Sequence, residues 1–562
     1  MSAQLADIIL EGLDAARKAG ALDFPTPPQV VLEAPRQAAH GDVACPVALG
    51  LAKIVGRPPR DIAQTLIDHL TLPDGLVDKV EIAGPGFINF HLAPAYWTAR
   101  ITDIIAQGDT YGHNRSMHGQ KVLAEFVSAN PTGPLHVGHG RGAVVGDAAA
   151  RLLSACGAKV DREYYVNNVG NQMNILGRST HYRYLELLGR TIAFPDDHYK
   201  GAYIGEIARR LLDADGDIHA DTDEEAWLPR FTDFAYSAIL EDIRAELNAF
   251  DVHFDRWYSE KDLYVGDPSP VQAALDALAE QEMLYEKDGA KWLATTRHGD
   301  DKDRVLVRAN GVTTYFASDV AYHKEKFARG YHRLIDVWGA DHHGYVGRMK
   351  AAAAMVGKDP EALTVILVQL VSLLKGGEPV AMSTRAGSFV TLAQVVEEIG
   401  KDATRFYFLT RKSDAHLEFD LELAKSQTSD NPVYYVQYAH ARVHQLFGKA
   451  LERYDIGPDE TRQAGDEGWD LSALEDAETI ALIKKLTDFP KMVEDAAAEL
   501  AVHRTPYYLQ ELAAQFHAYY YKHRFVSDDL PLTRARMVLA TAVGQVLKNG
   551  LTLMGVGAPT RM

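Results

Sequence analysis

The chain has 562 residues, of which 47% are apolar and 24% charged, which indicates a folded protein of three or four domains and excludes a small module. It has only two cysteines, which excludes a disulfide scaffold and a multi-cysteine zinc site and is typical of a protein of the reducing cytoplasm. The formal net charge of −19 argues against indiscriminate nucleic-acid binding, and the longest apolar stretch, 363–374, is too short to span a membrane.

The first predicted domain, residues 1–112, combines helices and strands. Helical apolar patterns occupy 5–17 and 59–70. The alternating segment 80–90 contains a Gly-Pro-Gly turn, which predicts two short strands. We therefore expect an N-terminal α+β domain.

The second predicted domain, residues 113–420, begins with a buried strand at 122–127, a Pro/Gly loop and a helix from about 138 to 155. Two further apolar runs, 334–338 and 363–374, suit buried strands that are followed by functional loops. Strands separated by helices predict a doubly wound parallel sheet of the Rossmann type, which binds ligands beyond the carboxyl ends of its strands.

The alternation of strands and helices is lost between about 180 and 310, where the composition is mixed and contains acidic tracts. We interpret this part as an insertion within the sheet domain. From 421 to 562 helical periodicity dominates and is broken by one polar loop at 457–469, which predicts an all-helical C-terminal domain.

The first chemical motif, residues 130–142, reads Asn-Pro-Thr-Gly-Pro-Leu-His-Val-Gly-His-Gly-Arg-Gly and stands between the strand and the helix. Gly138 between His136 and His139 lets a nucleotide approach the backbone, and the helix N-terminus with two imidazole donors suits phosphate. Such donors favour a reaction that builds negative charge on phosphorus. A pair of helix-start histidines or a metal pair is the alternative, although no cysteine or carboxylate cluster accompanies them.

The second motif, residues 380–387, reads Val-Ala-Met-Ser-Thr-Arg-Ala-Gly and precedes a helix that is predicted to begin near Thr391. Alone it is a common loop sequence. Together with the first motif, and in this order, it resembles the mobile second signature of class I aminoacyl-tRNA synthetases.

Further segments make this resemblance narrower, because they are similar to signatures of bacterial arginyl-tRNA synthetases. These segments are 125–130, 164–171, 314–322, 339–345, 435–442 and 549–562. The resemblance covers essentially the whole chain.

The resemblance implies an enzyme that activates L-arginine with ATP and transfers it to tRNA(Arg), with Mg²⁺ assisting at the phosphates. His136 and His139 match ATP-binding histidines of the family and should stabilise the α-phosphate during the reaction. Gly138, Met382 and Ser383 match further positions that bind ATP.

The resemblance also indicates where arginine binds. A guanidinium presents five fixed donors, so its pocket needs carboxylates and other rigid acceptors. Tyr315 and Asp319 are four residues apart on a helical pattern, share one face, and match the family pair that holds the arginine side chain. Glu125 and Asn130 fall at family positions near the substrate, with Asn130 on the α-amino group, and Asp341 is a further candidate.

The phosphate-binding cation departs from the family pattern. The family loop often carries lysine where this chain has Ala381 or Thr384. Members without it tend to place a lysine just before the HxGH element, which is residues 136–139 here, and this chain has Gly133 and Pro134 at that place. We expect Arg385 to make the phosphate contact, with Lys375 as the other candidate.

The two ends of the chain match tRNA-binding parts of the family, namely a domain at the tRNA elbow and a helical anticodon domain. Residues 501–562 carry seven Arg or Lys against three Asp or Glu, a net charge of +4 on an acidic protein. Tyr519, Tyr520, Tyr521 and Phe525 lie among these bases and are either stacking platforms for anticodon bases or core residues. We expect a monomer.

Two other classes of protein share parts of this pattern. A nucleotidyltransferase that joins ATP to a small phosphate ester also uses HxGH, but such enzymes usually have one domain. A non-catalytic tRNA-binding paralogue would keep the terminal domains and lose the site, which the retained His136, His139, Tyr315 and Asp319 oppose.

Overall fold

The computed structural model describes residues 2–35, 37–380, 390–463 and 469–562. The N-terminal part holds α1 (Ser2–Lys18), β1 (Val43–Cys45), α2 (Val47–Val55), α3 (Pro59–Ile67), β2 (Val77–Ala83), β3 (Phe87–Leu92) and α4 (Pro94–Gln107). The strands form an antiparallel sheet in the order β1-β3-β2. The predicted helices and hairpin are confirmed, whereas α2 and α4 were not predicted.

The middle part of the chain carries a five-stranded parallel sheet in the order β11-β10-β4-β5-β6. The prediction of a doubly wound parallel sheet is confirmed. The elements up to the last of these strands are β4 (Lys121–Glu125), α5 (Val137–Ala155), β5 (Lys159–Val166), α6 (Asn171–Leu187), α7 (Ala202–Asp215), α8 (Glu224–Ala249), β6 (Arg256–Ser259), α9 (Pro270–Glu280), β7 (Leu284–Lys287), β8 (Ala290–Leu293), β9 (Arg304–Val307), α10 (Tyr315–Ala328), β10 (Arg333–Gly339), α11 (Val346–Met355) and β11 (Leu363–Val368).

The elements that follow β11 are β12 (Val371–Lys375), β13 (Glu378–Pro379), α12 (Leu392–Ile399), α13 (Lys401–Leu409) and β14 (Leu417–Asp420). They correct one prediction, because the apolar run 363–374 is two strands that belong to different sheets. β11 is an edge of the parallel sheet, whereas β12 pairs with β13 and β14. Hydrophobicity alone does not show where a chain leaves one sheet for another.

The region around 180–310 is built from helices α6 to α9 and from a separate antiparallel sheet, β7-β8-β9. Strand β6 also lies in this range, yet it pairs with β5 at the edge of the parallel sheet. The range is therefore not one continuous insertion, because the main sheet takes a strand from its middle.

The C-terminal part is helical, as predicted. Its helices are α14 (Leu421–Lys425), α15 (Pro432–Tyr454), α16 (Pro458–Gln463), α17 (Ala477–Thr487), α18 (Phe489–Ala498), α19 (Arg504–Lys522) and α20 (Leu530–Leu553). The long helices α15, α19 and α20 pack on one another. The predicted polar loop at 457–469 contains α16. Within the described ranges, no helix combines the length and apolar character needed to cross a bilayer.

Buried polar contacts join the three parts. Arg405 on α13 is fully buried and donates to the backbone oxygens of Met554 at 2.9 Å and Phe250 at 3.0 Å. It also forms an ion pair with Asp147 on α5. Elsewhere, the Asn549 amide donates at 2.9 Å to backbone oxygens of the segment that follows α4.

Helix α5 lies unusually close to the parallel sheet. A Cβ at Gly146 would stand 2.3 Å from the Phe126 ring, so only glycine permits this approach. The close packing fixes the N-terminus of α5 just beyond the carboxyl end of β4, where the fold predicts a ligand.

Candidate active site

His136 and His139 form the start of α5. His136 is the N-cap residue, and each backbone N–H of the pair donates to the Nδ1 atom of the other ring, both at 3.3 Å. The rings stack with centroids 3.6 Å apart. Because Nδ1 of each ring accepts a hydrogen bond, each neutral ring carries its proton on Nε2.

Burial keeps both histidines uncharged at neutral pH. It lowers the pKa of His136, and together with the neighbouring His136 it lowers the pKa of His139 to about 3. The pair can therefore supply neutral N–H donors to a phosphate, with Gly138 of the same helical turn beside it. Positive charge for a triphosphate has to come from other groups.

A cavity of about 400 Å³ opens at the carboxyl ends of β4 and β10, beside the start of α10. Its lining includes Glu125 at the end of β4 and Tyr315 and Asp319 on the first turns of α10. The structure thus brings together these three predicted arginine-binding residues, which come from distant parts of the sequence.

Asp319 and Tyr315 occupy different depths of this cavity. The Asp319 carboxylate accepts a hydrogen bond from the Tyr345 hydroxyl, and burial raises the pKa of Asp319. Tyr315 is 68% exposed and stands at the mouth. A cationic ligand that enters past Tyr315 would give the Asp319 carboxylate a positively charged partner.

Glu125 is held from two directions. Its Oε1 atom accepts a hydrogen bond from the Ser128 hydroxyl at 2.8 Å, and its Oε2 atom pairs with the ammonium of the fully buried Lys326. Val127 and Ser128 have φ angles of 67° and 40°, a left-handed conformation that is costly for a β-branched residue such as Val127. This strained turn begins the path from Glu125 to His136.

Two predicted substrate residues are not among those that line the cavity. The amide of Asn130 donates to the Gln172 side chain at 3.0 Å, outside the lining. The Asp341 side chain is 80% exposed and lies 3.6 Å from His342. Of this adjacent pair, it is His342 that lines the cavity.

The predicted loop residues Met382, Ser383 and Arg385 lie outside the described residues. Lys375, the other candidate cation, is described at the end of β12. Its side chain is 61% exposed and its ammonium lies 4.0 Å from Glu422.

The structure adds acidic and basic groups that the sequence reasoning missed. Glu260 is buried near Asp319, and its Oε2 atom has no hydrogen-bond partner among the described residues. Burial, and then the charge of Asp319, raise the pKa of Glu260 to about 7. Lys326 follows Asp319 by seven residues, so two helical turns could have placed both on one face. Glu260 has no such signal, because a long-range contact brings it there.

The helical C-terminal domain carries a second polar cluster around Arg442. The guanidinium is largely buried, donates to His517 Nδ1 at 2.8 Å, and lies 4.6 Å from the centre of the Tyr438 ring and 5.2 Å from that of Tyr521. In the described part of the chain no carboxylate pairs with Arg442. Burial lowers the pKa of His517 to about 4, so this ring is neutral and accepts the hydrogen bond.

The four predicted stacking residues divide between core and surface. Tyr519 and Phe525 are 3% and 2% exposed and belong to the core, whereas Tyr521 is 77% exposed. Tyr520 packs partly against the core. Tyr521 is thus the member of this group that best presents a ring for stacking.

Comparisons with known proteins give the family. The model for the arginyl tRNA synthetase N terminal domain matches residues 3–92, and that for the DALR anticodon binding domain matches 436–562. The model for the catalytic domain of class I (R) tRNA synthetases matches 100–189 and 222–440. The chain belongs to the arginyl-tRNA synthetase family. The predicted family resemblance is confirmed.

Individual relatives agree with this family over their whole length. An arginine–tRNA ligase of Syntrophotalea carbinolica is 51% identical over 562 residues, with 100% of both chains covered. One from Citrifermentans bemidjiense is 48% identical over 563 residues with the same coverage. The solved arginyl-tRNA synthetase of Thermus thermophilus, at 22% identity, shares the fold with a TM-score of 0.70 and covers 100% of this chain and 99% of its own.

Proposed function

We propose that the cavity between β4, β10 and α10 binds L-arginine and that the start of α5 binds the phosphates of ATP. The chain is an arginine–tRNA ligase: the arginine carboxylate attacks the α-phosphorus of ATP and releases diphosphate, and a terminal hydroxyl of tRNA(Arg) then takes the arginyl group and releases AMP.

The orientation of arginine follows from the position of the two acids. The α-amino end of arginine must lie near ATP. Glu125, at the end of β4, is the cavity acid that is closest in sequence to the HxGH turn at the start of α5. We therefore assign Glu125 to the α-ammonium, and Asp319 with Tyr315 to the guanidinium. Glu260, buried near Asp319, adds negative charge to the guanidinium end. In this proposal Asn130 and Asp341 contact the substrate only if the neighbouring turns move.

His136 and His139 would donate N–H groups to the α-phosphate as negative charge develops on it. Neither acts as a general base in this assignment, because the carboxylate of arginine is already ionised. Arg385 would add the cationic contact that neutral histidines cannot provide.

We also propose that Mg²⁺ enters with ATP. Among the described residues, no group of three or more His, Cys, Asp or Glu side chains could hold a metal ion, so the ATP phosphates would supply most of its ligands. The ion would neutralise charge on the phosphates, while the chain orients the nucleotide.

For tRNA, we propose that residues 1–112 contact the elbow and residues 421–562 read the anticodon, with 113–420 as the catalytic domain. The buried Arg442, which lacks a carboxylate partner among the described residues, and the exposed Tyr521 beside it offer charge and a stacking ring to a splayed base. We further propose that the enzyme is cytoplasmic and monomeric. Analytical ultracentrifugation can test the oligomeric state.

The observation that carries the arginine assignment is the presence of Glu125 and Asp319 in one cavity at the carboxyl ends of β4 and β10. The test compares arginine with citrulline, which has nearly the same shape but no positive charge. ATP consumption is followed with and without tRNA. The buffer contains no Tris or related amine. We expect turnover with arginine and a loss of at least about 100-fold with citrulline, because a buried carboxylate would lose its charged partner. Comparable turnover of both compounds would refute the charge assignment.

A further inference from the structure

A cluster of buried charges forms part of the cavity wall and includes a lysine that does not itself line the cavity. Glu125 and Asp336 occupy paired positions on the adjacent parallel strands β4 and β10, so their carboxylates lie side by side. Lys326 on α10 is 0% exposed and places its ammonium between them, 2.9 Å from Asp336 Oδ1 and in contact with Glu125 Oε2.

The cluster continues toward the other end of the cavity through His323. His323 Nε2 lies 2.7 Å from Asp336 Oδ2, and its Nδ1 lies 2.8 Å from the backbone oxygen of Asp319. Lys326 also lies 4.3 Å from the centre of the Tyr322 ring, which closes one side of its site. Both acids of the pair are therefore tied to the helix that carries Tyr315 and Asp319.

Two neighbouring buried carboxylates without a cation cannot both stay ionised, because each disfavours the charge of the other. Of the two, Asp336 keeps His323 as a second partner, whereas Glu125 keeps only the Ser128 hydroxyl. If the ammonium is removed, Glu125 is therefore the acid that takes up the proton. The total charge of the cluster stays the same, but Glu125 loses its negative charge while Asp336, which also lines the cavity, keeps its own.

We propose that Lys326 is a positioning residue for arginine binding, because it keeps Glu125 ionised and aimed into the cavity without touching the substrate. This inference rests on the proposed contact between Glu125 and the α-ammonium. A buried lysine would thus control the charge of a substrate-binding acid. We therefore expect the two residues to act as one unit.

The test is a double-mutant cycle with Lys326→Met and Glu125→Gln in the full-length chain, measured as KM for arginine and for ATP in tRNA charging. Each single variant should raise the arginine KM by about 10-fold or more, with the ATP KM changed less than about 2-fold. In the Glu125→Gln background, Lys326→Met should add less than about 2-fold, since the charge that it maintains is already absent. Lys324→Met, two residues earlier on α10 and half-buried, is the matched control and should leave both constants unchanged.

The outcomes separate the two claims. An unchanged arginine KM in Glu125→Gln would overturn the assignment of Glu125 itself. If Glu125→Gln raises the arginine KM as expected, two results for Lys326→Met would overturn the role of Lys326. One is an effect on the arginine KM that adds to that of Glu125→Gln in the double variant, and the other is an equal increase in the KM for arginine and for ATP. Lys326→Gln, which keeps an N–H donor, replaces the Met variant if that chain does not unfold cooperatively on heating. Failure of both variants to fold would show that Lys326 is structural and would also overturn the proposal.

Discussion

Replacing Asp319 by Asn should separate arginine binding from folding. The substitution keeps the shape and an oxygen for the Tyr345 hydroxyl, but it removes the charge opposite the guanidinium. A hydrogen bond to a charged group contributes about 1.5 to 3 kcal/mol, which corresponds to an arginine KM raised by roughly 10- to 150-fold.

The same change should not destabilise the protein. Burial raises the pKa of Asp319, so the folded state at neutral pH holds its charge at a cost relative to the unfolded chain. A neutral amide removes that cost, and we expect a melting temperature equal to or above that of the parent. Loss of substrate affinity without loss of stability is the expected pattern for a binding residue.

Steady-state tRNA charging at saturating tRNA gives the KM for arginine and the KM for ATP, and thermal unfolding gives the melting temperature. Asp276→Asn is the matched control, because it removes an exposed carboxyl group on α9 that does not line the cavity. Equal increases in the KM for arginine and for ATP, or a clearly lowered melting temperature, would mean that Asp319 supports the fold and would refute the reasoning.

Three further predictions concern the reaction and its pH dependence. His139→Ala should lower the single-turnover rate by about 10²- to 10³-fold with little change in ATP KM, and an unchanged rate with a raised ATP KM would contradict the assigned role. Arg385→Ala should slow single-turnover charging at saturating ATP by about 10-fold or more, and Thr384→Lys should recover part of the loss; a parental rate in Arg385→Ala would direct the search to Lys375. Because the pKa of Glu260 is raised to about 7, this acid gains its charge as pH rises from 6 to 8, so arginine KM should fall over that range. A Glu260→Gln variant with the same pH profile as the parent would exclude this acid as the cause.

The part of the site that could be predicted is the part recorded by local spacing. Tyr315 and Asp319 share a helical face, and the two histidines stand at a strand-to-helix junction, so the sequence alone indicates their neighbours. Lys326 lies on the same face two turns later. Its partners, however, are known only once β10 is seen to lie beside β4, which the sequence does not show because the two strands are about 200 residues apart.

The errors in the fold have a similar origin. The apolar run 363–374 has no turn residue between its two strands, so a change of sheet leaves no mark in composition. Among the tyrosines of α19, Tyr519 is buried and Tyr521 is exposed, since two residues separate them by more than half a helical turn. Composition identifies such a cluster, and only the packing of its helix decides which ring reaches solvent.

The guanidinium of Arg405 makes the C-terminal helices poor candidates for exchange between relatives as a ready-made block. The guanidinium donates a hydrogen bond to the Met554 oxygen, and the next residue, Gly555, has a φ of 65°. A Cβ at Gly555 would stand 2.2 Å from Arg405 Nη2. A grafted block must therefore bring glycine at this position and a backbone turn of the same hand. A chimera that meets both requirements keeps the buried cation satisfied, whereas one that carries a side chain there must displace Arg405 from Asp147 and so loosen the helix that begins with the two histidines.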